Sequence, residues 1–100
     1  MDRKKIQTMN WQVYIILCSD DSLYTGITTD IERRLAQHTA GTGAKYFRGR
    51  SPRQLVYLED NHDRSSASRR EAQIKKLRPV DKQHLIRSSG NRLNRNIDKT

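Results

Sequence analysis

The 100-residue sequence predicts an α/β domain: a three-stranded antiparallel sheet flanked by helices, in the order ββαβα with a short C-terminal helix. Three observations carry this reading. Two β-rich runs, Val13-Tyr14-Ile15-Ile16-Leu17 and Tyr24-Thr25-Gly26-Ile27-Thr28, flank the turn-forming Ser19-Asp20-Asp21-Ser22. A capped amphipathic segment comes after them. A second helical segment then succeeds a further β-run, Leu55-Val56-Tyr57-Leu58.

Residues 1–10 are polar and aperiodic and read as a flexible tail. Trp11 opens the first strand and is expected to pack against the helices. Tyr14 and Tyr24 share a face of the hairpin only if its loop has odd length or a bulge. A two-residue turn at Asp20-Asp21 separates them. The odd loop is the expectation, because the next helix brings Arg34 and His38 toward the hairpin, where both tyrosines can meet them. Gly26 marks a place where another group approaches the strand closely. Thr29-x-x-Glu32 has the form of a capping box starting a helix near Asp30, and Gly41 is its stop. Ile31 and Leu35 define the buried stripe. Arg34 and His38 lie beside that stripe one turn apart, whereas Arg33 points away. An arginine and a histidine at the edge of a core helix, facing two tyrosines, suggest a phosphate site.

Residues 41–52 form a glycine-bearing loop in which Lys45, Arg48 and Arg50 surround Tyr46 and Phe47. Cations follow a phosphate backbone and aromatic faces stack on exposed bases, so the loop, extended by Arg53, is expected to touch nucleic acid. The plainer alternative is a connection whose aromatics tuck into the core. It is not a P-loop, since no G-K-[ST] closes it. Leu55 to Leu58 is the third strand, with Pro52 ahead of it. Glu59 and Asp60 end it, facing opposite ways and so unsuited to sharing one ion. His62 is expected in a solvated turn. Asp63 to Leu77 is the second long helix, with Asp63, Ser65 or Ser66 as its cap and Ala67, Ile74 and Leu77 as its stripe. Glu71 borders the stripe; for a lone glutamate an ion pair with Arg70 or Lys75 is the bland expectation. Pro79 starts a third, short helix running to about Ser88. The folded domain is placed at residues 11–88, and residues 89–100 are expected to be a disordered basic tail.

The net charge of +9, from 20 basic against 11 acidic residues, calls for a polyanionic partner, with nucleic acid first. One cysteine, Cys18, excludes an internal disulfide framework and a multi-cysteine metal site. It reads as a small core residue. No stretch has transmembrane length or the shape of a secretory signal, so a cytoplasmic location is the default expectation.

Val13-Tyr14-Ile15, Tyr24-Thr25-Gly26, Arg34, His38 and Glu71 together resemble the GIY-YIG nuclease domain. That family includes homing endonucleases, some restriction enzymes and the N-terminal domain of the excinuclease C subunit. The resemblance spans roughly Trp11 to Leu77. The short Gly-Thr-Gly loop and the chain length resemble the stand-alone bacterial members. Gln12 replaces the first glycine of GIY and Thr25 the isoleucine of YIG, both outside the side chains with chemical roles. The resemblance implies the GIY-YIG fold and a catalytic set of Tyr14, Tyr24, Arg34, His38 and Glu71, with Gly26 giving backbone access. It implies Mg²⁺ or Mn²⁺ held by Glu71, a phosphate clamp at Arg34, and a tyrosine as general base. Tyr14 is favoured as base and Tyr24 as positioner, with the reverse still open. His38 is read as a proton shuttle or phosphate ligand, or as a structural residue. Some relatives have a lysine after the YIG glycine, where this chain has Ile27, and a late supporting asparagine, for which Asn91 is available.

The implied function is metal-dependent endonucleolytic cleavage of nucleic acid, with DNA expected and repair or recombination as the setting. The alternative is a non-catalytic nucleic-acid-binding accessory module using the same basic surface. An interaction domain for acidic proteins explains the charge but leaves Tyr14, Tyr24, Arg34 and Glu71 without a task.

Overall fold

The computed structural model describes residues 9–97. Residues 1–8, most of the expected N-terminal tail, and residues 98–100 lie outside the described residues. Strands β1 (Trp11–Cys18), β2 (Leu23–Thr28) and β3 (Pro52–His62) form one antiparallel sheet in the order β2-β1-β3. β1 takes the centre because it is a continuous apolar run: Val13, Tyr14, Ile15, Ile16 and Cys18 are all buried.

Its side chains alternate between two cores. Val13 and Ile15 pack with Tyr57, Ala67 and Ile74 beneath helices α2 (Arg64–Lys75) and α3 (Pro79–Ile86). Tyr14, Ile16 and Cys18 pack with Phe47 and Leu58 on the other face. That second face is covered by α1 (Ile31–Ala40), a 3₁₀ turn at Lys45–Arg48, and α4 (Arg92–Ile97) through Leu93. Ile74 is wholly buried and anchors α2. Truncating such a side chain to alanine costs about 2–5 kcal/mol.

Leu17 pairs with Leu23, so an odd loop, residues 18–22, joins β1 to β2. Tyr14 stands opposite Gly26, which places Tyr24 on the same face as Tyr14. Asp21, at φ 68°, makes the reversal in a region that aspartate tolerates. The cap of α1 lies one residue later than expected. Asp30, not Thr29, accepts from the Arg33 amide at 3.1 Å, and Thr28 Oγ1 accepts from Asp30 N. Gly41 closes the helix at φ 79°, as its position suggests.

β3 runs well past Leu58, through Glu59 and Asp60 to His62. Ile15 pairs with Tyr57 and Ile16 with Leu55, so Val56 is a bulge residue that joins Tyr57 on the α2 side. Asp63 caps α2 in a reciprocal pair with Ser66. Helix α2 ends at Lys75, short of Leu77.

The stretch expected as a disordered tail instead contains a buried clasp. Asn91 is 1% exposed. Its amide nitrogen donates to Val56 O and Ile86 O, each at 2.8 Å, and its oxygen accepts from the Leu58 and Leu93 amides at 3.1 Å. β3 is an edge strand, and Asn91 meets the donor and acceptor that a fourth strand would have met. Helix α4 then continues from it. Polar composition carries no hint of this, because the partners are backbone groups.

Candidate active site

Tyr14 and Tyr24 project from adjacent strands with ring centres 6.2 Å apart. A Cβ at Gly26 would come within 2.7 Å of Tyr14 Cζ and 3.1 Å of Tyr24 Cε2. Only glycine lets both rings lie against β2 here. From α1, His38 places Nε2 2.9 Å from the Tyr14 hydroxyl. Sequence periodicity sets His38 at the edge of the helix stripe; in the structure it is fully buried. The reason is Phe47, which folds back from the loop after α1 to lie 4.2 Å from the imidazole, ring centre to ring centre.

Gly43 belongs to this site and carries no chemical signal of its own. A Cβ there would collide with His38 Nδ1. Its φ is not positive, so close approach rather than turn geometry demands the glycine. The second glycine of Gly41-Thr42-Gly43 is the only clue in the sequence.

Arg34 is half-buried, and its Nη1 donates to Gln37 Oε1 at 2.9 Å. Its Nε is buried with no hydrogen-bond partner among the described residues. A buried donor left unpaired is costly, and a guanidinium suits a carboxylate or phosphate. Glu71 comes from α2 and pairs with Lys75 Nζ at 3.3 Å. Its carboxylate is close enough to raise both tyrosine hydroxyls electrostatically. Tyr14 and Tyr24 are thus each within electrostatic or direct contact range of Arg34, His38 and Glu71.

Burial pushes the Tyr14 phenol up to about 12, with the Arg34 guanidinium pulling the other way. Burial also raises Tyr24, against the charges of Lys75 and Arg34. His38 is drawn down to about 4 by burial and then by the Arg34 charge. At neutral pH both phenols keep their protons and the imidazole is uncharged. The Ala44 amide lies 3.5 Å from His38 Nδ1, which favours the proton on Nε2. Nε2–H then donates to the Tyr14 oxygen, and Tyr14 keeps its own proton free to give elsewhere.

Among the described residues no three His, Cys, Asp or Glu side chains gather. Glu71 is therefore not part of an all-protein metal cage there. One carboxylate does fit Mg²⁺ or Mn²⁺, which leave most of their octahedron to water and substrate phosphate.

The loop residues expected on nucleic acid divide in two. Tyr46 donates its hydroxyl to Ser22 Oγ at 2.6 Å and lies under Arg50, whose guanidinium carbon is 4.0 Å from the ring centre. Arg50 also pairs with Asp20 at 2.7 Å, and Arg53 with Asp21 at 2.8 Å. Tyr46, Arg50 and Arg53 thus tie the loop and β3 to the β1–β2 turn. Lys45 and Arg48 are both exposed. Phe47 follows the plainer alternative and joins the core.

A second polar cluster lies on the α2 side. Glu59 accepts from the Tyr57 hydroxyl at 2.6 Å, from His62 Nε2 at 2.8 Å and from Arg70 Nε at 3.0 Å. His62 Nδ1 meets Ser66 Oγ at 2.8 Å. His62 is therefore a structural strand-end residue rather than a solvated turn residue. Arg70, a candidate partner for Glu71 on sequence, goes to Glu59. Glu59 and Asp60 do face different ways, since Asp60 pairs with Arg92 at 3.5 Å.

This sheet, with its tyrosine pair, helix arginine and helix glutamate, is that of the GIY-YIG family, to which the chain belongs. The model of the GIY-YIG catalytic domain matches residues 10–83. Within that family its relatives are UPF0213 proteins. One from Haloquadratum walsbyi is 58% identical over 73 residues, covering 73% of this chain and 82% of the relative. Another, from Desulfotalea psychrophila, is 51% identical over 80 residues, covering 79% and 73%. The solution structure of a UPF0213 protein from Bacillus halodurans superposes with a TM-score of 0.53 at 42% identity, over 85% of this chain and 90% of that one.

Proposed function

We propose that the protein is a divalent-metal-dependent endonuclease that hydrolyses phosphodiester bonds, with DNA as its substrate and repair or recombination as its setting. The observation that carries this reading is the unsatisfied, convergent state of the site. Among the described residues Arg34 Nε is buried without a partner, and the Tyr14 proton has no side-chain acceptor when His38 donates to it. Groups held this way are pre-organised for a ligand, and the arginine makes that ligand an anion.

In this reading Arg34 clamps the scissile phosphate with a permanently charged plane. Glu71 would hold Mg²⁺ or Mn²⁺, which when bound would neutralise phosphate charge and assist the leaving oxygen. Tyr14 first releases its own proton to bulk water and, as the phenolate, takes the proton of the attacking water. Its raised value in the free protein means that it ionises only when cationic charge gathers around the phosphate. His38 Nε2–H supports the phenolate that then forms, so His38 is a positioning residue. Tyr24 orients water or phosphate, and Gly26 lets both rings sit at working distance. The net charge of +9 supplies sequence-independent affinity for the backbone.

The test is cleavage of labelled supercoiled, linear, single-stranded and branched DNA, and of RNA, with Mg²⁺ or Mn²⁺. Wild type runs beside Glu71→Ala and Tyr14→Phe. Metal-dependent cleavage lost in both variants supports the reading. Binding without cleavage on every substrate would replace it with a binding module.

A further inference from the structure

Lys75 stands one turn beyond Glu71 on α2, with Nζ 3.3 Å from Glu71 Oε2. Its side chain is 52% exposed against 24% for Glu71, so the ammonium is the solvent-facing partner and the carboxylate the more enclosed one. β2 offers no cation next to Tyr24 in the strand direction, because Ile27 is packed into the α2-side core. Lys75 fills that gap from another element: its charge is the largest one acting on Tyr24. An ammonium and a divalent cation cannot both occupy one face of the same carboxylate.

Resting on the metal-dependent reading above, we propose that Lys75 is a phosphate contact held in reserve on Glu71. The ion pair satisfies Glu71 while the site is empty of substrate. With a metal ion on Glu71, Lys75 would lose its carboxylate partner, and its long stem would let the ammonium reach a phosphate oxygen near Tyr24. An i,i+4 pair whose ammonium is half exposed at the surface is weak enough to be exchanged in this way. The site therefore gains a second phosphate contact only when its metal is present.

Two measurements test this, neither of them turnover. The first is Mn²⁺ binding, followed by electron paramagnetic resonance on wild type, Lys75→Met, Lys75→Arg and Glu71→Gln. Lys75→Met is expected to bind Mn²⁺ about two- to fivefold more tightly, because its competitor is gone. Lys75→Arg stays near wild type, and Glu71→Gln loses the site. The second is the salt dependence of binding to a phosphorothioate duplex. With Mn²⁺ the wild-type slope exceeds that of Lys75→Met by about one counterion, and without Mn²⁺ the two coincide. Mn²⁺ binding that is equally tight in wild type and Lys75→Met overturns the hand-off while leaving the nuclease reading intact. Mn²⁺ binding absent from both overturns the hand-off together with the metal site on which it rests. Mn²⁺ binding that survives in Glu71→Gln sinks the metal site itself.

Discussion

Two clusters in this small domain use the same four residue types and arrive at opposite states. On one face Tyr14, His38, Arg34 and Glu71 converge; on the other Tyr57, His62, Arg70 and Glu59 do. In the second set the carboxylate is the hub. Tyrosine, histidine and arginine all donate to Glu59, and Ser66 completes the far side of His62. Burial alone would raise the Glu59 carboxyl, but those hydrogen bonds more than offset it and hold the group below its usual range. In the first set no carboxylate sits at the centre. Glu71 is turned to Lys75, Arg34 Nε is unpaired among the described residues, and Tyr14 meets a neutral histidine. Satisfaction, not residue type, separates the closed cluster from the open one.

Mutation should split the two most sharply in activity. Glu71→Ala and Tyr14→Phe are expected to lower cleavage by about 10³-fold or more. Glu71→Ala leaves the melting temperature nearly unchanged, whereas Tyr14→Phe also costs about 1–3 kcal/mol by leaving the buried His38 Nε2–H unpaired. Glu59→Ala should do the reverse. Losing the hub of a half-buried network costs about 2 kcal/mol of stability, and cleavage per folded molecule should hold. Equal loss of activity from Glu59→Ala and Glu71→Ala would erase the distinction. Gly26→Ala comes next, since its methyl group must displace Tyr14. Strain of this kind costs about 1–3 kcal/mol, read by denaturant unfolding, and cleavage should fall with it.

The clusters also differ in their response to acid. His38 has a folded value of about 4 against an ordinary 6.5. Between those pH values the unfolded chain takes up a proton that the folded chain refuses. Its contribution is therefore whole above about pH 6.5 and fades as the pH falls toward 4. His38→Gln should flatten that part of the stability profile. Glu59, with its value held down, contributes above its unfolded range and is lost only as the pH drops further. The smallest effect is expected at the β1–β2 turn. Asp20→Asn with Asp21→Asn frees Arg50 and Arg53 and should tighten DNA binding about twofold, measured by anisotropy. No change would mean that these arginines serve the turn alone.

Much of the first cluster is legible in the sequence, because hairpin parity and helix periodicity are local rules. Tyr14 and Tyr24 meet through the odd loop, and Arg34 faces inward while Arg33 faces out. The depth of His38 is not legible, since Phe47 covers it from beyond the helix and wheel geometry ends at Gly41. The second cluster is hidden for a related reason. Glu59 and His62 read as a strand end and a turn, and only the extra length of β3 lets His62 join Arg70 on the Glu59 carboxylate. Asp30 and Thr29 are both good caps, and one residue of offset is below what composition resolves.

Asn91 carries a practical consequence for anyone choosing where to cut this chain. The family match stops at residue 83, short of it. A fragment trimmed there would leave Val56 O and Leu58 N without their Asn91 partners along the rail of β3. Open rails recruit a second copy edge to edge. Residues 10–83 alone should therefore elute as dimers or larger aggregates on size exclusion. The whole chain should run as the monomer, and Asn91→Asp, which can no longer donate to Val56 O, should fall between the two. On this account the segment beyond the family match caps the β3 edge against further pairing.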